Sequence, residues 1–128
     1  MSGTSEHLAR AKQNICFAES FDLQNTPFLD WVVTAYFYAA LHLVDALLCE
    51  KDELNPASHL DRRIQVKEKW YLRLISAEYR NLKDHSEDAR YRLIPMASGK
   101  VENTIIPLYK AIENHILPQL QSSKTTGG

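Results

Sequence analysis

The chain has 128 residues, a formal net charge of −1, only four glycines and abundant Leu, Ala, Glu, Lys and Arg, which predicts one all-α domain. Its cysteines, Cys16 and Cys49, lack the CxxC and Cys/His spacings of zinc sites, so we expect no metal, no cofactor, no disulfide framework and a reducing, cytoplasmic setting. Residues 62–92 carry 9 basic and 5 acidic side chains and residues 1–61 carry 3 and 9, which fits either a local anion-binding surface or ordinary solvated helix faces.

The first two helices are predicted over residues 5–20 and 27–50. The first has apolar residues at helical spacing: Leu8, Ala11, Ile15 and Ala18. Pro27 suits the first turn of the second helix, which is almost uniformly apolar. Membrane spans share this composition, but His42 and Asp45 lie inside the segment and no second one follows. We therefore predict a helix that is buried on most sides, without a membrane partner.

The polar residues of the second helix lie on one face. They step by four, four, three and four residues along the chain: Thr34, Tyr38, His42, Asp45 and Cys49. One interpretation is structural, with His42 and Asp45 satisfying each other or backbone groups inside the bundle. The other is functional, with Tyr38, His42 and Asp45 lining a pocket or a dimer interface.

A third helix is predicted to begin within the polar segment at residues 51–63, capped by Asn55 or Ser58, and to run to about Lys83. Its expected buried residues are Leu60, Ile64, Tyr71, Leu74 and Leu82. A separate row steps by four, three, four and three residues and is mostly basic: Lys69, Arg73, Ser76, Arg80 and Lys83. Three cations of this row, Lys69, Arg73 and Lys83, are together with Arg90 candidates for binding phosphate groups.

Ser86 is predicted to cap an extra helical turn over residues 87–94. The last helix is predicted over residues 103–120, where Pro118 ends or kinks it. Because the connections are short, neighbouring helices should run antiparallel, which predicts an up-down four-helix bundle with the extra turn after the third helix.

The single domain is expected to span residues 1–121. The remaining residues, 122–128, read "SSKTTGG" and are expected to form a disordered tail. The N-terminal segment has no charged stretch followed by an apolar run, so we expect no secretory signal.

The stretch "EYRNLKDHSEDARY" at residues 78–91 carries a motif. Arg80, the polar Asn81, three further residues and His85 match the Arg, polar, x, x, x, His signature of HEPN domains (higher eukaryotes and prokaryotes nucleotide-binding), which are small helical bundles. "WVVTAYFYAALHLVDALL" resembles the long second helix of stand-alone HEPN proteins, and "SHLDRR", "YRNLKDHS" and "ARY" resemble the segments that follow it. The resemblance covers about residues 8–95.

Many HEPN proteins are metal-independent ribonucleases in which the motifs of two subunits meet in one cleft. The resemblance therefore implies a homodimer that binds RNA or a nucleotide and uses Arg80, Asn81 and His85 catalytically. Cleavage through the RNA 2′-hydroxyl needs proton transfer near neutral pH, which suits His85, and a cation that stabilises the phosphorane, which suits Arg80. Asn81 would position either partner by hydrogen bonding.

On an unbroken helix Arg80 and His85 would sit about 140° apart. They converge only if the helix ends or bends near Lys83, or if a second subunit supplies one of them. The toxin branch of the family has a Tyr two positions after the His, which a partner nucleotidyltransferase modifies. A nucleotidyltransferase-type antitoxin is therefore a candidate partner, although this chain has Glu87 at that position, with Tyr91 near it. The expected function is either a ribonuclease, as a toxin or defence effector, or a non-catalytic module that holds a nucleotide or a protein in the same cleft.

Overall fold

The computed structural model describes residues 3–92 and 94–126, apart from the side chains of residues 122–126. These residues form helices and turns without a strand, which confirms the all-α prediction. In chain order the elements are α1 (Thr4–Glu19), α2 (Leu29–Asp52), α3 (His59–Glu68), a 3-10 turn (Arg73–Ile75), α4 (Ser76–Tyr91), α5 (Ser98–Lys100), a π-helical turn (Val101–Ile105) and α6 (Ile106–Thr126). The predicted third helix is therefore two helices, α3 and α4.

Helix α2 is the core of the fold and contacts α1, α4 and α6. Its fully enclosed apolar side chains include Val32, Val33, Phe37, Leu47 and Leu48. By length and composition alone α2 could cross a membrane, but 83% of its apolar window is buried inside the fold. The prediction of a helix buried on most sides is confirmed, and this burial is that of a core helix.

Helix α3 ends before Lys69, whose backbone is extended with φ −72° and ψ 125°. Tyr71 and Leu72, which follow, are buried in the core. The Tyr71 carbonyl accepts hydrogen bonds from His115 at 2.8 Å and from Gln119 at 3.1 Å, both on α6. This segment thus bonds to α6 instead of continuing the helix, which is why α3 ends there.

The break changes which side chains α3 buries. Leu60, Ile64 and Leu74 were predicted to be buried but are 61%, 42% and 80% exposed. Arg62 and Val66 are buried in their place. The prediction was wrong for these three residues because it counted one helical period through the break. Residues before and after the break do not lie on one common face, as a continuous helix would require.

Helix α4 runs without interruption past Lys83, and Ser86 is fully buried in its interior. The predicted helix end near Lys83 and the predicted cap at Ser86 are therefore wrong. The Ser86 hydroxyl accepts a hydrogen bond from Arg90 at 2.9 Å instead of capping a new turn. The first part of the extra turn expected over residues 87–94 belongs to α4, which ends at Tyr91.

Helix α6 passes Pro118 and continues beyond the predicted end at residue 120. Ile112, Ile116 and Leu120 are buried on both sides of this proline, so core packing holds the helix despite the lost N–H. The backbone of residues 122–126, the first part of the predicted disordered tail, continues α6, whereas residues 127 and 128 lie outside the described residues. For those last two residues the disordered tail remains a prediction.

Candidate nucleic-acid interface

Arg80 and His85 lie on different faces of α4. Five residues of an unbroken helix turn through about 500°, which leaves the two side chains about 140° apart. Arg80 is exposed on the side that faces α3, whereas His85 is half-buried near Lys100. Asn81 is exposed on the helix surface between them. One subunit therefore does not bring the three motif residues into a single site.

The imidazole of His85 has its Nδ1 atom buried without a hydrogen-bond partner among the described residues. Burial, reinforced by Lys100, holds the pKa of His85 below its usual range, against the opposing effect of Asp88 and Asp84. The neutral form of the ring therefore predominates at pH 7. A neutral imidazole has one lone pair and one N–H, which are the groups that general acid–base catalysis uses.

A basic groove lies between α3 and α4. Its narrow part has a volume of about 270 Å³ and is lined by Arg63, Val66, Lys67, Ser76, Tyr79 and Arg80. A wider part of about 760 Å³ adjoins it and adds three further residues: Ile64, Glu68 and Arg73. Four cations therefore surround the basic groove: Arg63, Lys67, Arg73 and Arg80.

Within the described part of the chain, none of these four cations is paired with a carboxylate. Arg73 donates to the main-chain carbonyl of Glu68 at 3.3 Å. Neighbouring cations without carboxylate partners create a positive potential that attracts anions. Guanidinium groups in particular bind phosphate oxygens through two parallel N–H bonds. The groove is thus suited to the phosphates of a nucleic acid.

Of the cations predicted to bind phosphate, one lines the basic groove and two are paired with carboxylates. Arg73 lines the basic groove. Lys69 pairs instead with Asp52 at 3.1 Å, and Lys83 pairs with Glu87 one turn further along α4. Because these two ammonium groups already have carboxylate partners, they offer a phosphate less than the groove cations do.

Arg63 and Lys67 were not among the predicted site residues. They stand one helical turn apart on α3 and face Arg80 across the basic groove. The i, i+4 spacing of the two cations was the available signal. It was obscured because the predicted basic row began at Lys69 and assumed one continuous helix.

The polar stripe of α2 joins this helix to its neighbours. Arg62 of α3 donates to both carboxylate oxygens of Asp45, at 2.7 and 3.0 Å. His42 meets His7 of α1 with 3.2 Å between their Nδ1 atoms. His42 and Asp45 are therefore satisfied inside the fold by side chains of other helices, whereas the structural interpretation expected them to satisfy each other or backbone groups.

Tyr38, the third candidate of the stripe, contacts α4. Its hydroxyl accepts a hydrogen bond from Arg90 Nη1 at 3.0 Å, and its ring lies 5.4 Å from the Arg90 guanidinium. Arg90 was predicted to bind phosphate, and the structure places it at the end of α4 that is distant from Ser76 and the basic groove.

Acid should weaken the fold through His42, and His42→Gln should make stability less dependent on pH. Burial holds the pKa of His42 below its usual range, and His7, Arg10 and Arg62 act in the same direction against Asp45. With the folded pKa below the unfolded value of ~6.5, the unfolded chain binds more protons, so stability is fully present above pH ~6.5 and is lost as the pH falls below it. Urea unfolding at about pH 7.5 and pH 5.5 measures the difference. An equal difference in wild type and variant would contradict the prediction.

Within residues 3–92 and 94–126, no group of three or more His, Cys, Asp or Glu side chains is placed to hold a metal ion. Comparisons with protein-family models, with curated proteins and with solved structures find no match to this chain. The candidate site consists of the basic groove, Arg80 at its edge, and His85 on another face of the same helix.

Proposed function

We propose that this protein is a HEPN-type, metal-independent endoribonuclease that acts as a homodimer and holds RNA along the basic groove. Its resemblance to HEPN domains at Arg80, Asn81 and His85 supports the activity. The proposed topology is the antiparallel up-down four-helix bundle, with α1, α2, α4 and α6 as its helices and α3 beside α4. Its proposed setting is the cytoplasm, where it acts as a toxin or defence effector.

The observation that carries this proposal is the basic groove, whose four cations have no carboxylate partner among the described residues. Like charges around one groove repel each other in the free protein, and a bound polyanion relieves that repulsion. An RNA strand supplies phosphates in succession, and each contact releases counterions. Arg80 belongs both to the groove and to the motif, so it links RNA binding to catalysis.

Catalysis in this proposal requires two subunits. Because Arg80 and His85 of one chain diverge by about 140°, Arg80 of one subunit acts with His85 of the partner subunit. His85 accepts the proton of the 2′-hydroxyl as its oxygen attacks phosphorus, and the protonated imidazole returns a proton to the 5′-oxygen that leaves. Arg80 stabilises the charge that gathers on the phosphorane. Asn81, which lies between the two on α4, positions the reacting groups.

Purified protein should cut total RNA in EDTA, and its affinity for a single-stranded RNA oligomer should depend on salt. Arg63→Gln and Lys67→Gln should each weaken binding, and each lost phosphate contact should reduce the slope of log affinity against log salt by about 0.7. Lys110→Gln removes an exposed cation of α6 outside the groove and is the matched control. Fluorescence anisotropy at several salt concentrations measures the slopes. Equal affinity of both groove variants and wild type would contradict RNA binding in the groove.

The second candidate is a non-catalytic module that binds a nucleotide or a partner protein. The separation of Arg80 from His85 favours it, as does the buried Nδ1 atom of His85, which has no hydrogen-bond partner in the part of the chain that the structure describes. Two results would select this candidate: total RNA that stays intact in EDTA, and light scattering that shows only monomer at concentrations where binding is measured.

A further inference from the structure

Arg90 is held at the end of α4 by neutral partners. Its guanidinium lies 4.8 Å from the ring centre of Tyr91, 5.4 Å from that of Tyr38 and 5.9 Å from that of Phe37. It donates to the Tyr38 hydroxyl at 3.0 Å, to the Ser86 hydroxyl at 2.9 Å and to the Ser86 carbonyl at 3.3 Å. These contacts hold Arg90 in position. Because none of the acceptors is charged, its positive charge remains available to an anion.

The ring of Tyr91 is held by Arg90 and is open to solvent. Its hydroxyl accepts a hydrogen bond from Arg90 Nη1 at 3.4 Å, and the guanidinium lies over one side of the ring. The residue is nevertheless 71% exposed. An exposed tyrosine ring that a neighbouring side chain already contacts offers a flat surface at a low entropic cost.

Tyr91 lies on the same face of α4 as Arg80. The eleven residues that separate them correspond to about three full turns and 20°, with an advance of about 16 Å along the helix. Burial is the main cause that lowers the pKa of His59, at the start of α3, and the charges of Lys83 and Arg90 on α4 also lower it. Lys83 and Arg90 are therefore near His59, which places the start of α3 beside the end of α4. The seam between these helices leads from the basic groove towards Tyr91.

We infer that Tyr91, backed by Arg90, is a stacking platform for an unpaired base of an RNA strand whose phosphates occupy the basic groove. The inference rests on the proposed RNA binding and adds a subsite to it. Aromatic side chains stack bases of any sequence, and a guanidinium beside the ring can hold a neighbouring phosphate. Glu87 on this face is paired with Lys83, which reduces its repulsion of the strand. The base pairs of a duplex do not offer an unstacked base, so the platform selects single strands.

Tyr91→Leu should weaken binding of a single-stranded RNA oligomer by roughly tenfold to a hundredfold. Tyr91→Phe should bind like wild type, because stacking needs the ring and not the hydroxyl. Two probes without an unpaired base, inorganic polyphosphate and duplex RNA, should bind Tyr91→Leu and wild type equally. Competition anisotropy at one salt concentration measures all three ligands.

Wild-type affinity of Tyr91→Leu for the oligomer would overturn the platform. An equal loss of polyphosphate binding would also overturn it, because leucine would then have acted by displacing Arg90. Weaker self-association of Tyr91→Leu with unchanged RNA affinity would assign the ring to a protein interface instead. The proposed function fails in a different way: wild-type protein then binds no RNA, or Arg63→Gln binds it as well as wild type does, and either result removes the basis of this inference.

Discussion

RNA cleavage should fall by about 10²–10⁴-fold in His85→Ala while RNA affinity stays nearly unchanged. A group that transfers protons acts mainly in the transition state, so its loss appears in the rate constant and not in binding. Arg80→Ala should lower both quantities, because its guanidinium binds phosphate in the ground state and stabilises the phosphorane as well. Gel assays in EDTA give the rates and anisotropy gives the affinities.

A mixture of the two inactive variants tests whether the catalytic pair comes from two subunits. A heterodimer of Arg80→Ala and His85→Ala subunits keeps one complete site, formed by the intact Arg80 of one chain and the intact His85 of the other. Random exchange in an equal mixture should therefore restore roughly a quarter of the wild-type activity. If both catalytic residues came from the same subunit, the mixture would stay inactive.

Both variants should remain folded, because Arg80 and His85 lie outside the buried core. Helical circular dichroism and an unchanged unfolding midpoint are the controls. Cleavage by His85→Ala at the wild-type rate would contradict the ribonuclease proposal, and RNA binding without cleavage by wild type would leave the binding module in its place.

The largest loss of stability is expected for Arg62→Met, at about 3–5 kcal/mol. Arg62 and Asp45 are 8% and 4% exposed, and two hydrogen bonds join the guanidinium to the carboxylate at 2.7 and 3.0 Å. Methionine has a similar volume but leaves the Asp45 carboxylate buried without its partner. The loss comes mainly from that uncompensated charge. Urea unfolding near neutral pH measures it.

The double variant Asp45→Leu with Arg62→Met should recover most of this stability, because it removes the orphaned charge together with its partner. Lys110→Met breaks the exposed Lys110–Glu113 pair and should cost less than about 1 kcal/mol. A loss of that small size in Arg62→Met would mean that water reaches Asp45 when the arginine is absent.

The sequence by itself determined the fold class and the core helix. Residues 31–48 are apolar almost without interruption, and a helix of that composition must be covered on most sides in water. Helix α1 follows from its own period, with Ala11 and Ala18 buried as expected. These signals are local, because composition and spacing within one segment determine them whatever packs against it.

The polar stripe on α2 was also visible in the sequence, but its partners were not. Periodicity places Tyr38, His42 and Asp45 on one face, and it does not show which helices approach that face. The structure pairs Asp45 with Arg62 and brings His42 to His7, residues that are 17 and 35 positions away in the chain. Side-chain pairing at such separations depends on how whole helices dock.

Only the tertiary structure decided where α3 ends and which cations line the basic groove. The Tyr71 carbonyl bonds to His115 and Gln119, which are 44 and 48 residues further along the chain. No pattern near residue 69 encodes that contact, so the sequence predicted one helix where the structure has two. With α3 ended by this docking, Arg63 and Lys67 line the groove across from α4. The unbroken α4 then separates Arg80 from His85, because five residues of a regular helix cannot place two side chains on one face.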